Sequence, residues 1–213
     1  MFIESTVSAP NLHELLHCMA LAIHGIMQDS AKSIQKVYYD VFDERIVPLD
    51  SFSDTDNLPF VDAIRTFIDT IFYTENLSPE CLIMTMVYIS RLHNLSNLTI
   101  DATNWRKIVL STMILASKVW EDLAVWNADF LDAFPALTTP HLAELEKVLL
   151  SLLKFNVSLK ASEYAHYYFE LRSLAINDFP LEPLTKKEEK RLESKSLTEE
   201  ERIRQQYEEA IVS

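Results

Sequence analysis

Two histidines and a glutamate near the start of the chain form the pattern with the most direct chemical meaning. His13, Glu14 and His17 make a His-Glu-x-x-His arrangement. On a helix this spacing places two imidazoles on one face beside a carboxylate, as zinc hydrolases require. The extended form of the motif also needs a glycine and a third histidine, and both are absent. No strands are predicted to form a cleft, and Glu14 is spaced to complete a helix-capping box with Asn11. A zinc hydrolase is therefore the least favoured of the functions that the sequence suggests.

The glycine and cysteine content excludes most other catalytic classes. Gly25 is the only glycine, whereas loops that bind phosphate groups need several glycines for tight turns and close backbone approach. Cys18 and Cys81 form no Cys-x-x-Cys pair, so neither a disulfide framework nor a zinc site of ordinary spacing is predicted. No Gly-x-Ser-x-Gly nucleophile motif occurs. We expect a protein that is not an enzyme and has no cofactor and no metal.

The charge balance narrows the choice of partners. The formal net charge of −13 argues against nucleic acid, whose phosphates require a clustered basic face. It favours a soluble protein, or one that binds basic or mixed protein surfaces. The sequence contains no signal peptide and no apolar run of membrane-spanning length. Residue 2 is Phe, so no myristoyl anchor is expected. We predict a cytoplasmic or nuclear protein that reaches membranes only through its partners.

Capping residues and apolar periodicity predict an all-α fold. A first helix is expected from Asn11 to about Met27, followed by an irregular connector over residues 40–59. Five helices are predicted between Leu58 and Phe155, and the third is apolar on several sides, which indicates a central position in a bundle. The first begins near Pro59 and the second at Ser78-Pro79. The third runs from Asn104 to Val119 and the fourth from Asn127 to Phe134. The fifth begins at Thr139-Pro140.

The carboxyl-terminal part is predicted to contain a further helix and a charged tail. The helix is expected at Ser162–Ala175, and a rigid extended strip at Phe179–Leu184. Residues 185–209 contain two capping-box matches and are expected to form two solvated helices, or one helix with a break near Ser196. The predicted organisation is an amino-terminal helix and connector, a five-helix domain, a helix with its strip, and the tail. Their bounds are 1–57, 58–157, 158–184 and 185–213.

Several segments resemble a known family. Leu115-Ala116-Ser117-Lys118 resembles the Leu-Ala-Ser-Lys sequence of cyclins, and Glu146, which precedes Phe155 by nine residues, resembles the acidic residue in the fifth helix of the cyclin box. Longer stretches are similar to the cyclin Y family in particular. They are residues 5–8, 10–12, 42–45, 103–110, 124–127, 168–175 and 179–184.

This resemblance implies an all-α protein with a single five-helix cyclin box and flanking helices. It also implies a regulatory subunit that binds a cyclin-dependent protein kinase of the PFTAIRE or PCTAIRE type. By the same likeness, Lys118 and Glu146 bind backbone groups beside the mobile regulatory helix of the kinase. Lysine offers three donors and a carboxylate only accepts, so both suit such charge-assisted bonds. The remaining kinase-binding positions implied by the family are Val119, Leu150, Phe155 and Ser158.

Alternatives remain open at this point. Lys118 and Glu146 could pair with each other and hold their helices together in the free protein. The chain could be a Pho80-like nutrient-signalling cyclin, or a kinase-free scaffold with a cyclin fold. Two features of related cyclins are not recognisable: the Met-Arg-Ala-Ile-Leu substrate-docking patch at Val61–Ile68, and the lipid anchor of animal cyclin Y.

Overall fold

The computed structural model describes residues 12–50, 54–175 and 184–212, and this part of the chain is helical without β-strands. The all-α prediction is confirmed. The α-helices of the described residues are α1 (Leu12–Lys32), α2 (Val61–Thr74), α3 (Pro79–Ser96), α4 (Trp105–Trp120), α5 (Thr139–Leu152), α6 (Ala161–Ser173) and α7 (Lys186–Val212).

Helix α4 lies at the centre of the molecule, as its apolar sequence predicts. Of its 16 residues, 14 are buried, and the two that remain partly exposed are Arg106 and Lys118 near its two ends. The buried hydroxyls of Ser111, Thr112 and Ser117 donate to carbonyls one turn earlier in the same helix. These polar groups are therefore satisfied without an external partner, and they do not interrupt the core.

The predicted helix starts at Ser78-Pro79 and Thr139-Pro140 agree with α3 and α5. The Thr138 hydroxyl accepts the backbone N–H of His141 at 3.4 Å and caps α5. The Ser78 hydroxyl does not cap α3. It donates to the Glu121 carboxylate at 3.1 Å, and the Ser78 backbone N–H donates to the same group at 2.8 Å. Glu121 thereby joins the start of α3 to the residue that follows α4.

The helix predicted at Asn127–Phe134 is wrong. The segment contains a single 3-10 turn at Asp129–Leu131, so the expected five-helix box has four α-helices and this turn. Eight residues are marginal for a helix, and the Asp129 carboxylate accepts the backbone N–H of Trp126 at 2.7 Å. Such bonds compete with helix formation. Phe130 and Phe134 are buried, at 0% and 5% exposure, without a regular helix.

Other helix ends differ from the sequence prediction by smaller amounts. Helix α1 continues to Lys32 rather than ending near Met27. Gly25 does not stop it, and the buried Ser30 hydroxyl accepts the N–H of Ile100 at 3.4 Å, so packing supports the last turns. Helix α2 begins at Val61, and α6 runs over Ala161–Ser173. The proposed cap at Asn11 and residues 179–183 of the predicted strip lie outside the described residues.

The connector before α2 is irregular, as predicted, and α4 fixes its first part in place. Lys107 is fully buried and donates to the carbonyls of Val41 and Asp43 at 3.0 and 3.2 Å. Burial lowers the pKa of the Lys107 ammonium. Arg106 binds the carboxylate of Glu44, and it binds that of Asp50 at 2.8 Å. These bonds attach residues 41–50 to the first turn of α4.

Helix α7 is one continuous helix, which corrects the prediction of two solvated helices or a break near Ser196. Thr185 and Glu188 form the capping box that starts it, because the Glu188 carboxylate accepts the Thr185 N–H at 2.7 Å. Leu192, Ser196 and Ile203 are buried along one face, at 0%, 0% and 4% exposure. The helix is charged on its other sides, yet it packs on the domain.

Candidate functional site

An ion pair links the end of α4 to the middle of α5. Lys118 Nζ lies 2.6 Å from Glu146 Oε1, and the two side chains are 13% and 22% exposed. The second carboxylate oxygen of Glu146 accepts the Asn127 side-chain amide at 3.0 Å. The structure therefore brings together the two charged residues singled out in the sequence, although 28 positions separate them. It also favours the alternative in which they pair with each other in the free protein.

This pair lines an open groove of about 490 Å³. The walls come from the end of α4, the loop at residues 124–126, α5 and residues 199–207 of α7. Leu150 adds apolar surface beside Glu146. Trp126 stands at the edge with 67% of its surface exposed, and Leu123 in the same loop is 84% exposed. The groove thus combines a charged pair with apolar surface, which is the composition of a site for an amphipathic helix.

Hydrogen-bonding capacity remains at this pair. The Lys118 ammonium has three N–H donors, and within the described residues one of them is directed to Glu146. The Asn127 side-chain oxygen is buried and has no hydrogen-bond partner in the same part of the chain. A buried polar atom without a partner costs free energy, so a donor from a bound partner would be stabilised here.

The remaining predicted binding residues divide into two groups. Val119 is 2% exposed and belongs to the core rather than to the groove. Phe155 follows α5 in a left-handed conformation with φ of 57°. Its ring contacts that of Tyr207 edge-on, with the centroids 4.6 Å apart. Ser158 donates its backbone N–H to the Glu200 carboxylate at 2.9 Å. Phe155 and Ser158 are therefore partly covered by α7.

The part played by α7 in this site was missed by the sequence analysis. One face of α7 that meets the domain includes Leu192, Ser196, Glu200, Ile203 and Tyr207. Their spacing of four, four, three and four is the period of one helix face. That spacing was readable in the sequence, but only three of the five are apolar, so the signal is weak.

The other chemical candidates are not assembled into sites. His13 is exposed and His17 is half-buried, and no group of three potential metal ligands occurs among the residues that the structure describes. Cys18 and Cys81 are buried free thiols. Burial raises the pKa of Cys18 to about 11 and that of Cys81 well above its ordinary value. Neither thiol is therefore activated as a nucleophile.

The comparison with known families identifies the segment that contains the site. Residues 53–158 match the family described as Cyclin, N-terminal domain. The chain contains a cyclin box. Lys118, Glu146, Leu150 and Phe155 all lie inside this box, whereas α1, α6 and α7 lie outside it. Members of this family are regulatory rather than catalytic in general. No solved structure matches the chain.

The match supports a cyclin-type regulatory role. Within the described ranges, no helix is long and apolar enough to cross a membrane.

Proposed function

We propose that this protein is the regulatory subunit of a cyclin-dependent protein kinase. The observation that carries the proposal is the Lys118–Glu146 pair, which lies in an open, partly apolar groove inside the cyclin box. The groove meets the requirements for docking a helix of the kinase: apolar surface for its buried face, and an ammonium and a carboxylate for its polar backbone groups.

The proposed mechanism is a shift of population toward the active kinase. A mobile kinase helix that docks in the groove is held in one position. The cyclin then binds the active conformation more tightly than the inactive one, and this difference in affinity sets the shift. Fixing the helix places its glutamate where it can pair with the ATP-site lysine of the kinase. The chain itself performs no chemical step in this scheme.

The resemblance to cyclin Y supports a partner of the PFTAIRE or PCTAIRE type. The shared stretches include residues 42–45. Within them Phe42 is fully buried and Glu44 binds Arg106, so this likeness extends to residues that attach the connector. A Pho80-like nutrient-signalling cyclin is the alternative within the same class. A kinase-free scaffold is the alternative outside it.

Capture with purified kinases tests the proposal. The immobilised protein is incubated with a PFTAIRE-type kinase, a PCTAIRE-type kinase and a nutrient-signalling kinase, and each is assayed for bound protein and for activity. We expect the first two to bind and to be activated. The matched control changes an exposed ion pair elsewhere, Lys32→Ala with Asp29→Ala, whose side chains are 75% and 78% exposed. Absence of binding to all three kinases contradicts the proposal and favours the scaffold.

A further inference from the structure

Residues 201–212 of α7 lie beside the groove in which the proposed function seats the kinase. Arg202, Ile203 and Tyr207 contribute to its walls, opposite Lys118 and Glu146. The Tyr207 ring contacts Phe155, and its hydroxyl donates to the carbonyl of Lys147 on α5 at 3.1 Å. The end of α7 therefore contacts the surface of α5, and of the residues just after it, that a partner helix would use.

The first half of α7 is held by many bonds. Lys195 donates to the carbonyls of Trp120 and Glu121 at 2.8 and 3.0 Å, which satisfies acceptors at the end of α4. The hydroxyl of Ser196 accepts the Leu159 N–H at 2.8 Å. Glu200 accepts the Ser158 N–H. Bonds of this kind complete the ends of neighbouring helices, where backbone groups otherwise lack partners. This half is a structural part of the domain.

The second half is held by few contacts. Between residues 201 and 207, the buried side chain of Ile203 and the ring and hydroxyl of Tyr207 contact the domain. Arg202 and Arg204 pair with Glu199 and Glu200 of their own helix, and Arg202 is attracted to Glu146 of α5 only at longer range, without a direct bond. Gln205 likewise bonds within α7. Residues 201–212 can therefore separate from the groove at much lower cost than residues 186–200.

Tyr207 covers part of the surface that a partner helix would need. Its ring contacts that of Phe155, and its side chain lines the groove together with Leu150. A partner helix that packs on Leu150 and Phe155 must take the place of Tyr207. The two cannot use the same face of α5 together.

We propose that residues 201–212 are an internal ligand of the groove, which a kinase helix displaces on binding. The inference rests on the proposed function and adds its regulation. Ile203 and Tyr207 stand at i and i+4 on the face that meets the groove. The chemistry expected of the displacing helix is therefore an aliphatic and an aromatic side chain at the same spacing. The open state alone admits the partner, so the apparent affinity is reduced in proportion to the fraction of molecules that are open.

Binding of full-length variants to a purified PFTAIRE-type kinase domain tests this inference. Tyr207→Ala removes the ring contact and should tighten binding about tenfold, because the aromatic pair favours the closed state by roughly that factor. Tyr207→Phe retains the ring and should change binding less than threefold, on the order of one neutral hydrogen bond. Gln205→Ala alters an exposed residue of the same segment and should leave the affinity unchanged.

Hydrogen exchange of the complex provides the second measurement. We expect amides of residues 201–212 to exchange faster when the kinase is bound, while those of residues 186–200 stay protected. Equal affinity of Tyr207→Ala and the unchanged protein overturns the inference and leaves the proposed function intact. Weaker binding of Tyr207→Ala, with residues 201–212 protected in the complex, also overturns it, because α7 is then part of the docking surface. No binding by any variant overturns the proposed function itself.

Discussion

The two ends of α4 use similar charges in different ways. Arg106 and Lys118 are the only residues of this helix that are not buried, and both form ion pairs. Arg106 binds two carboxylates of the connector, Glu44 and Asp50, although a groove of about 760 Å³ also borders Arg106 and Asp50. Lys118 binds one carboxylate and faces a groove. A cation whose bonds are satisfied by its own chain stabilises the fold, whereas one with remaining donors in a groove is available to a partner.

The largest expected effect on stability is at the Arg106 end. Arg106→Ala removes the guanidinium from Glu44, whose side chain is 0% exposed. Loss of one partner from a buried pair costs about 3–5 kcal/mol, and we expect a decrease of that size in the free energy of unfolding measured with urea. Lys32→Ala, in an exposed pair, should cost less than about 0.5 kcal/mol. An unchanged unfolding midpoint for Arg106→Ala would contradict the claim that Arg106 stabilises the fold.

Glu75 tests what happens to a charged group that is buried without a compensating cation. Its Oε1 atom is buried and has no hydrogen-bond partner in the described ranges. Burial, with Asp129 and Asp132 nearby, raises the pKa of Glu75 from 4.5 to about 7. Between these two values the folded state binds more protons than the unfolded state. The contribution of the Glu75 carboxyl group to the free energy of unfolding is therefore complete below about pH 4.5, and it is lost as the pH rises through 7.

Glu75→Gln should accordingly increase stability at high pH. The expected gain is about 1–2 kcal/mol at pH 8, reduced from the full linkage value because the group is only half-buried. At pH 5 the variant and the unchanged protein should differ little. Urea unfolding at the two pH values measures this difference. Equal stability of the two proteins at pH 8 would show that the Glu75 carboxylate is compensated in solution.

The smallest expected effect is at the His-Glu-x-x-His motif. His13→Ala combined with His17→Ala should leave zinc content, kinase binding and kinase activation unchanged, because no third ligand lies with this pair among the described residues. Metal analysis of the purified protein measures the first quantity. Stoichiometric zinc that disappears in the double variant would restore the zinc hydrolase as a candidate.

The sequence predicts elements better than it predicts contacts. Helices α3, α4 and α5 follow from Ser78-Pro79, from the apolar run around Ile108 and from Thr139-Pro140, which are local signals. The helix prediction for Asn127–Phe134 was wrong because the Asp129 side chain accepts a backbone N–H there in place of a short helix. Helix α7 was read as solvated because its burial depends on a narrow stripe that only the folded domain reveals.

For the candidate site as well, the sequence indicates individual residues but not the contacts between them. Lys118, Glu146 and Leu150 were selected because of a family resemblance, and the apolar period of α5 predicts only the helix that carries Glu146 and Leu150. That the two charges meet depends on how α4 packs on α5. That Phe155 lies under Tyr207 depends on the path of the chain after α6. Both are tertiary facts that local periodicity does not contain.

Reversing the Lys118–Glu146 pair tests the central claim most directly. Each single alanine variant should lower the free energy of unfolding by about 1–3 kcal/mol, between the values for exposed and buried pairs. The variant with Lys118→Glu and Glu146→Lys together retains one cation and one anion at positions whose charged groups lie 2.6 Å apart in the unchanged protein, so its unfolding free energy should recover most of that loss. A partner would, however, meet an anion at position 118 and a cation at position 146, the reverse of the unchanged protein.

The decisive measurement is kinase affinity of this exchanged variant beside its urea unfolding curve. Truncating one partner of a buried charged hydrogen bond in an interface costs about 2–5 kcal/mol. The account therefore predicts that the exchanged variant is folded and yet binds at least about tenfold more weakly than the unchanged protein. A folded exchanged variant that binds and activates the kinase normally would contradict it, and would leave Lys118 and Glu146 as a purely structural pair.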